Sequence, residues 1–129
     1  MHRFIAALLG VILGIALAGC AAENTSEVDA LRSRFTTAGG SCDTWTAVTE
    51  PRAVGAISCA DGAKVYLFTG GAQRADFVKT ELETNTDIRA RTHIMLSGEN
   101  WLIIDRIAVI VAVMPSLHGI IQGRNGANP

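Results

Sequence analysis

The sequence has no cluster of positive charge. Its 11 Lys and Arg residues are scattered singly among 12 Asp and Glu, and the formal net charge of the 129-residue chain is −1. Surfaces that bind nucleic acid need clustered cations, because their affinity comes from the release of counterions. A basic patch for a membrane surface is disfavoured for the same reason. We therefore expect no nucleic-acid partner.

Histidine and the common catalytic motifs are also scarce. Beyond the N-terminal region the histidines are His93 and His118, and no H-x-x-x-H or paired C-x-x-C motif is present. No metal site is therefore predicted, and His93 is better explained as a strand residue than as a ligand. A G-x-S-x-G elbow, a P-loop and a dinucleotide fingerprint are absent too. We expect no cofactor, and the sequence favours a protein that is not an enzyme.

The longest uncharged stretch lies at the N-terminus. Met1-His2-Arg3 is followed by an apolar run from Phe4 to Leu17. This arrangement is typical of a signal peptide, and the run is somewhat short for a membrane span of about 20 residues. Residues 1–19 are therefore predicted to be a signal for export.

The apolar run ends in Leu17-Ala18-Gly19-Cys20. This segment resembles the lipobox of bacterial lipoproteins, which is a Leu, two small residues and a Cys. The resemblance implies cleavage after Gly19 and a lipid attached to the Cys20 thiol, so that membrane lipid is the partner of the acylated cysteine. Each buried methylene contributes roughly 0.8 kcal/mol, and two or more acyl chains anchor a protein stably. We expect the protein at the outer face of the bacterial cell membrane.

Residues 20–26 are predicted to be the lipidated cysteine and a short tether, whose reach is about 20 Å when it is fully extended. Two alternatives remain open. Ala16-Leu17-Ala18 also fits the small-x-small pattern of ordinary signal peptidase, which would release a soluble protein. The uncharged sequence from Phe4 through Ala22 is also just long enough to remain as an uncleaved span.

With Cys20 assigned to lipid, Cys42 and Cys59 remain as an even pair in an exported chain. An oxidising compartment favours a disulfide. Strands from Cys42 to Val48 and from Ala53 to Cys59, joined by a turn at 49–52, would place the two cysteines opposite each other. Opposed residues of an antiparallel pair lie about 4.5 to 5.5 Å apart, which is within the range of a disulfide.

Asp61-Gly62 predicts a second, two-residue turn, which would pair Ser58 with Val65. Together the two registers define two faces of a three-stranded meander. The first is uniformly apolar and is predicted to be core: Trp45, Ala47, Val54, Ala56, Val65 and Leu67. The second is mixed and could be covered by a second layer or by a ligand: the disulfide, Thr44, Thr46, Ile57, Lys64, Tyr66 and Phe68.

Two amphipathic helices are predicted around the meander. The first follows Ser26 and ends at Gly39-Gly40, and the second covers Ala72 to Glu83. The segment THIMLSGENWLIID predicts a hairpin with its turn at 97–100. The following segment, RIAVIVAVMPSLHGIIQ, is apolar on every side. Its pattern does not separate a buried helix from a strand followed by a Pro-initiated helical turn, although its length favours a helix.

The predicted fold is α+β: a small antiparallel sheet, made of the disulfide-bridged meander and a further hairpin, packed with two or three helices. It is expected to occupy residues 27–122 as a single domain, followed by a flexible C-terminus at 123–129. This order of elements, with the segments CADG and GENW, resembles small uncharacterised exported lipoproteins of actinobacteria. The resemblance implies no activity.

Three function classes are compatible with these features. The first is a membrane-anchored, non-catalytic binding or interaction module of the cell envelope, with an envelope protein or a small ligand as its partner. The second is a prophage-type lipoprotein for superinfection exclusion, which fits a small anchored domain equally well. The third, an envelope enzyme, is the least supported, because no nucleophile, base or metal set is present.

Overall fold

A six-stranded antiparallel sheet organises the part of the chain that the computed structural model describes, residues 26–123. Its strands follow the order β1-β2-β3-β5-β4-β6, so β1 and β6 are the two edges. The strands are β1 (Trp45–Ala47), β2 (Gly55–Cys59), β3 (Lys64–Leu67), β4 (His93–Ser97), β5 (Trp101–Arg106) and β6 (Ile120–Gln122). Within the same residues the helices are α1 (26–37), α2 (Gly71–Thr84), α3 (Thr86–Arg89) and α4 (Ile107–Leu117). The predicted α+β class is confirmed.

Helices α1 and α4 cover one face of the sheet. The apolar residues of α1 recur at helical spacing, and their buried side chains join those of α4 in one core. The ring of Phe35 packs directly against Gly40, so a Cβ atom at residue 40 would collide with the ring. This layer is built from Val28, Leu31 and Phe35 of α1, Ile110, Val113 and Leu117 of α4, and Ile57, Cys59, Val65, Leu67, Leu96, Trp101 and Ile103 of the sheet.

Helices α2 and α3 cover the opposite face. Tyr66, Phe68 and Phe77 form an aromatic group in this layer, with ring centroids of Tyr66 and Phe77 4.6 Å apart. The sequence did not decide whether a second layer or a ligand covers Tyr66 and Phe68. In the structure a layer of helices covers them. The remaining buried members of this layer are Ala56, Val78, Ile88, Met95, Leu102 and Ile104.

The register of the β2–β3 hairpin differs from the prediction by one residue. Ser58 pairs with Lys64 rather than with Val65. The turn contains the three residues 60–62, closed by a hydrogen bond from the Cys59 N–H to the Ala63 carbonyl at 2.8 Å. Gly62 alone takes up a positive φ, of 106°. A two-residue type I′ turn would need positive φ at Asp61 as well, so the three-residue form is adopted.

The first hairpin has a longer connection than predicted. Trp45, and not Cys42, pairs with Cys59, and the connection between β1 and β2 covers residues 48–54. Within it the Ala53 N–H donates to the Glu50 carbonyl at 3.0 Å, while Arg52 donates to the Glu50 carboxylate. The predicted pairing of Val48 with Ala53 was wrong, because this local turn uses the backbone groups that the pairing needs.

These shifts change the predicted faces in a selective way. Each of the two registers differs from its prediction by an odd number of residues. The two differences therefore cancel between β1 and β3, and Trp45 shares a face with Val65 and Leu67, as predicted. In β2, however, the two faces are exchanged relative to the prediction. Ile57 and the disulfide belong to the α1/α4 layer, and Ala56 belongs to the α2/α3 layer. Two residues predicted to be core are exposed instead, Ala47 and Val54.

The later elements agree better with the sequence. The predicted helix at 72–83 is α2, and the hairpin around Gly98 is formed by β4 and β5. The apolar tail begins as a helix, as its length indicated, and Pro115 lies in the last turn of α4 rather than at a start. His118 at φ 55° ends the helix, and β6 follows, paired with β4. Strand β6 was not predicted.

Candidate functional site

The residues predicted to matter fall into two groups. Cys20, the cleavage site before it and residues 124–129 lie outside the described residues. Cys42 and Cys59 form the predicted disulfide, with their Cα atoms 5.0 Å apart, and both are buried. Cys42 lies in the loop before β1, so the bridge joins this loop to β2.

Arg32 links α1 to this bridged region. Its Nε atom contacts the Asp29 carboxylate at 2.7 Å, and its guanidinium donates to the Cys42 carbonyl at 2.9 Å. The guanidinium also lies 5.5 Å from the centre of the Trp45 ring, in a cation–π arrangement. The middle of α1 is thereby held against the β1 edge of the sheet.

A shallow groove of about 170 Å³ lies at that edge, and we call it the α1–β1 groove. Two of its lining residues, Val48 and Val54, are 42% and 41% exposed. Its side chains are aliphatic apart from the aromatic ring of Trp45. It is lined by Val28, Trp45, Ala47, Val48, Val54, Gly55 and Ala56.

A larger groove of about 390 Å³ lies at the opposite edge, between α2 and β6, and we call it the α2–β6 groove. Its volume is within the range of small-molecule sites. The floor is apolar and the rim carries charged and amide groups. The lining residues are Arg74, Ala75, Val78, Lys79, Leu82, Glu83 and Gln122.

Arg74 is the most constrained polar group of the α2–β6 groove. Its guanidinium donates to the carbonyl of Gly98 and, at 3.1 Å, to that of Glu99. These bonds hold the side chain across the β4–β5 turn. Its Nε atom is buried and has no hydrogen-bond partner among the described residues. Leaving a buried donor without a partner costs free energy.

A charged pair lies over the aromatic group of the α2/α3 layer. Arg52 contacts Glu50 at 2.9 Å, and its guanidinium is 4.5 Å from the centre of the Phe77 ring. The hydrogen bond from Arg52 lowers the pKa of Glu50, and the same bond raises the pKa of Arg52. Burial, with a smaller contribution from the Glu81 and Glu50 charges, raises the pKa of Tyr66 to about 12. The Tyr66 phenol is therefore neutral at physiological pH.

Asp105 is a buried acid at the end of β5. Its carboxylate accepts a hydrogen bond from the Arg106 backbone N–H at 2.7 Å. It also lies just before the N-terminus of α4, where the helix dipole favours a negative charge. These contacts give Asp105 a structural role at the start of that helix.

Among residues 26–123, no group of three or more His, Cys, Asp or Glu side chains is arranged to hold a metal ion. His93 is half-buried in β4, where its Nδ1 atom lies 2.9 Å from the Thr92 hydroxyl. None of the helices in this part of the chain is both long and apolar enough to cross a membrane.

Sequence reasoning missed both grooves. The α2–β6 groove depends on β6, whose residues are indistinguishable from the rest of the apolar tail. The α1–β1 groove depends on the long 48–54 connection, which leaves Val48 and Val54 outside the sheet core. The α1–β1 groove could have been predicted from Pro51 and the neighbouring Glu50–Arg52 pair, since the proline and the pair both favour a local turn over a strand.

Comparison of the chain with protein-family models found no matching family. Comparisons with the curated proteins and with the solved structures likewise found no significant match.

Proposed function

We propose that this chain is a cell-envelope lipoprotein, held by an acylated Cys20 at the outer face of the bacterial cell membrane, that acts as a non-catalytic binding module. The resemblance of Leu17-Ala18-Gly19-Cys20 to a lipobox supports the anchor. The Cys42–Cys59 disulfide is in keeping with an exported chain, because such bonds persist in oxidising compartments.

The α2–β6 groove is the observation that carries the binding role. It combines an apolar floor at Val78 and Leu82 with two cations, Arg74 in the first half of α2 and Lys79 just past its middle. We propose a ligand with an apolar body and an anionic group that lies at the Arg74 end.

The groove is also well placed for an anchored binder. Strands β1 and β6 are opposite edges of a six-stranded sheet, and neighbouring strands are about 4.8 Å apart, so the edges are separated by about 24 Å. The described chain begins at α1, beside β1. An anchor that precedes α1 would leave the α2–β6 groove on the side away from the membrane.

Metabolic labelling tests the anchor. Expressed with its signal in a bacterial host, the protein is expected to incorporate labelled palmitate and to partition into the detergent phase. Cys20→Ser is expected to abolish the palmitate label, because it removes the thiol that accepts the lipid. Equal labelling of the Cys20→Ser chain would contradict the proposal.

A fluorescent long-chain fatty acid is a suitable probe for the groove. Ala75→Phe, which fills the groove, is expected to weaken binding of the probe at least about tenfold, which corresponds to about 1.4 kcal/mol. Ala72→Phe is the matched control, since Ala72 is exposed on the same helix but does not line the groove. No binding by the unmodified protein, or equal loss in both variants, would reject the groove as this site.

A further inference from the structure

We propose that the α1–β1 groove is the surface of the domain that contacts the membrane, with the interfacial layer of the lipid bilayer as its occupant. The inference rests on the proposed function, because it takes the anchor at Cys20 as given. It adds the orientation of the domain: the β1 edge faces the lipid and the β6 edge faces away.

The composition of the groove is the first argument. Its seven lining residues are glycine, aliphatic residues and Trp45, and two exposed valines, Val48 and Val54, lie at the two ends of the 48–54 connection. Exposed apolar side chains that are grouped in one place favour a contact with a protein or a membrane. Trp45 lies half-buried in the same groove, and tryptophan is enriched at membrane–water interfaces.

The length of the preceding chain is the second argument, and it selects the occupant. Val28 lines the groove, and the described chain begins only two residues earlier, at residue 26. From Cys20 to Ser26 the backbone reaches about 20 Å when fully extended. That is less than the width of the sheet, about 24 Å from β1 to β6. The β1 edge is therefore the one that the anchor holds near the lipid.

The charges around the groove form the third argument. Asp29 pairs with Arg32 beside α1, and Glu50 pairs with Arg52 in the 48–54 connection. Both pairs are internally neutralised, so the groove has no unpaired basic patch that would attract anionic headgroups. The contact is therefore apolar, and salt is expected to leave it unchanged, because screening acts on charges.

Amide hydrogen exchange on the lipidated, mature protein tests the orientation. The protein is placed in vesicles of phosphatidylethanolamine and phosphatidylglycerol and compared with the mature Cys20→Ser chain in solution. Exchange in residues 48–54 is expected to slow several-fold on the vesicles, whereas residues 74–83 of the α2–β6 groove are expected to exchange equally in both states.

Substitutions at exposed positions supply the control. Val48→Ser with Val54→Ser is expected to remove the protection of the connection and leave the acyl anchor intact. Ile107→Ser with Val111→Ser changes two residues that are exposed by 40% and 52% on α4, away from the groove, and is expected to change nothing. If the valine pair lowers the melting temperature, quenching of the tryptophan fluorescence of the unsubstituted protein by brominated lipids decides the question, because Trp101, the other tryptophan, is buried: quenching supports the contact and its absence overturns it.

The remaining outcomes separate the two proposals. Failure of the protein to float with the vesicles would reject the lipid anchor itself. Flotation without protection of 48–54 would overturn the orientation and leave the anchor standing. Protection that rises with protein concentration would assign the groove to a second copy. This result would overturn the membrane contact.

Discussion

Cys59 lies opposite Trp45 in the β1–β2 ladder, yet it is covalently bonded to Cys42, three residues upstream of Trp45. The bridge therefore does not tie two paired strand positions together. It fastens the loop that follows α1 to the second strand of the sheet, while Arg32 of α1 donates to the Cys42 carbonyl. One short region thus joins the first helix, the edge strand and the next strand inward.

Removal of this bridge is expected to destabilise the domain strongly. The two cysteines are separated by 17 residues, and closing a loop of this size contributes about 3 kcal/mol through the entropy of the unfolded chain. Urea denaturation of Cys42→Ala with Cys59→Ala is expected to show this loss in the free energy of unfolding. The reduced, unmodified protein serves as the control, and equal midpoints for its oxidised and reduced forms would contradict the expectation.

The observed register makes Ile57 a sensitive position. Ile57 is fully buried against α1 and α4, whereas Lys64, on the neighbouring strand, is exposed. Ile57→Ala is expected to cost about 2 to 5 kcal/mol of stability, because it removes buried methyl groups and leaves a cavity. Lys64→Ala is expected to change the free energy of unfolding by less than about 0.5 kcal/mol. Thermal or urea melts that showed the reverse order would reject the register.

Trp101 is enclosed by two glycines, and its surroundings leave no room for a methyl group. A Cβ at Gly119 would lie 2.9 Å from the Trp101 Cη2 atom and 2.7 Å from Leu96, and a Cβ at Gly98 would collide with the same indole. Gly119→Ala is expected to cost about 1 to 3 kcal/mol through overpacking. Gly123→Ala is the control, because a Cβ there would have no atom within 4 Å. Equal melting temperatures for the two variants would contradict the tight packing.

Tyr66 is the only tyrosine of the chain, so its ionisation can be followed directly by ultraviolet absorbance. Burial raises its pKa to about 12 from an ordinary value of 10.0. The folded pKa is the higher one, so the associated stability is fully present below the unfolded value and is lost as the pH rises through the folded value. An alkaline titration is expected to give a midpoint near 12 for the folded protein and near 10 in denaturant. A folded midpoint at the ordinary value would show that the phenol is accessible to water.

The features predicted from the sequence were those with a local cause. The period of the apolar residues in α1 and α2 specifies which side is buried, and the Gly98 turn lies between two β-prone runs, so these elements were predicted correctly. The Cys42–Cys59 pairing was also correct, since it depended on the number of cysteines and the compartment more than on the register.

The register of β2 was not predictable in the same way. Its residues 55–59 are small or apolar on both faces, and helices cover both sides of the sheet. Hydrophobic alternation therefore favours neither face, and the turn decides the register. Strand β6 was missed for a related reason: it pairs with β4, distant in sequence, and a run apolar on all sides carries no period that separates helix from strand. Because β6 was not predicted, the α2–β6 groove could not be predicted either.

The position of the disulfide also determines how the domain responds to a pull on its N-terminal end. Tension applied ahead of α1 can extend the chain only as far as Cys42, where the covalent bond transfers the load to Cys59 in β2. The residues between the two cysteines, including the whole of β1, lie in a closed loop and carry none of that load. Force on a tethered molecule would thus bypass β1, an edge strand of three residues, and act on a strand held by neighbours on both sides.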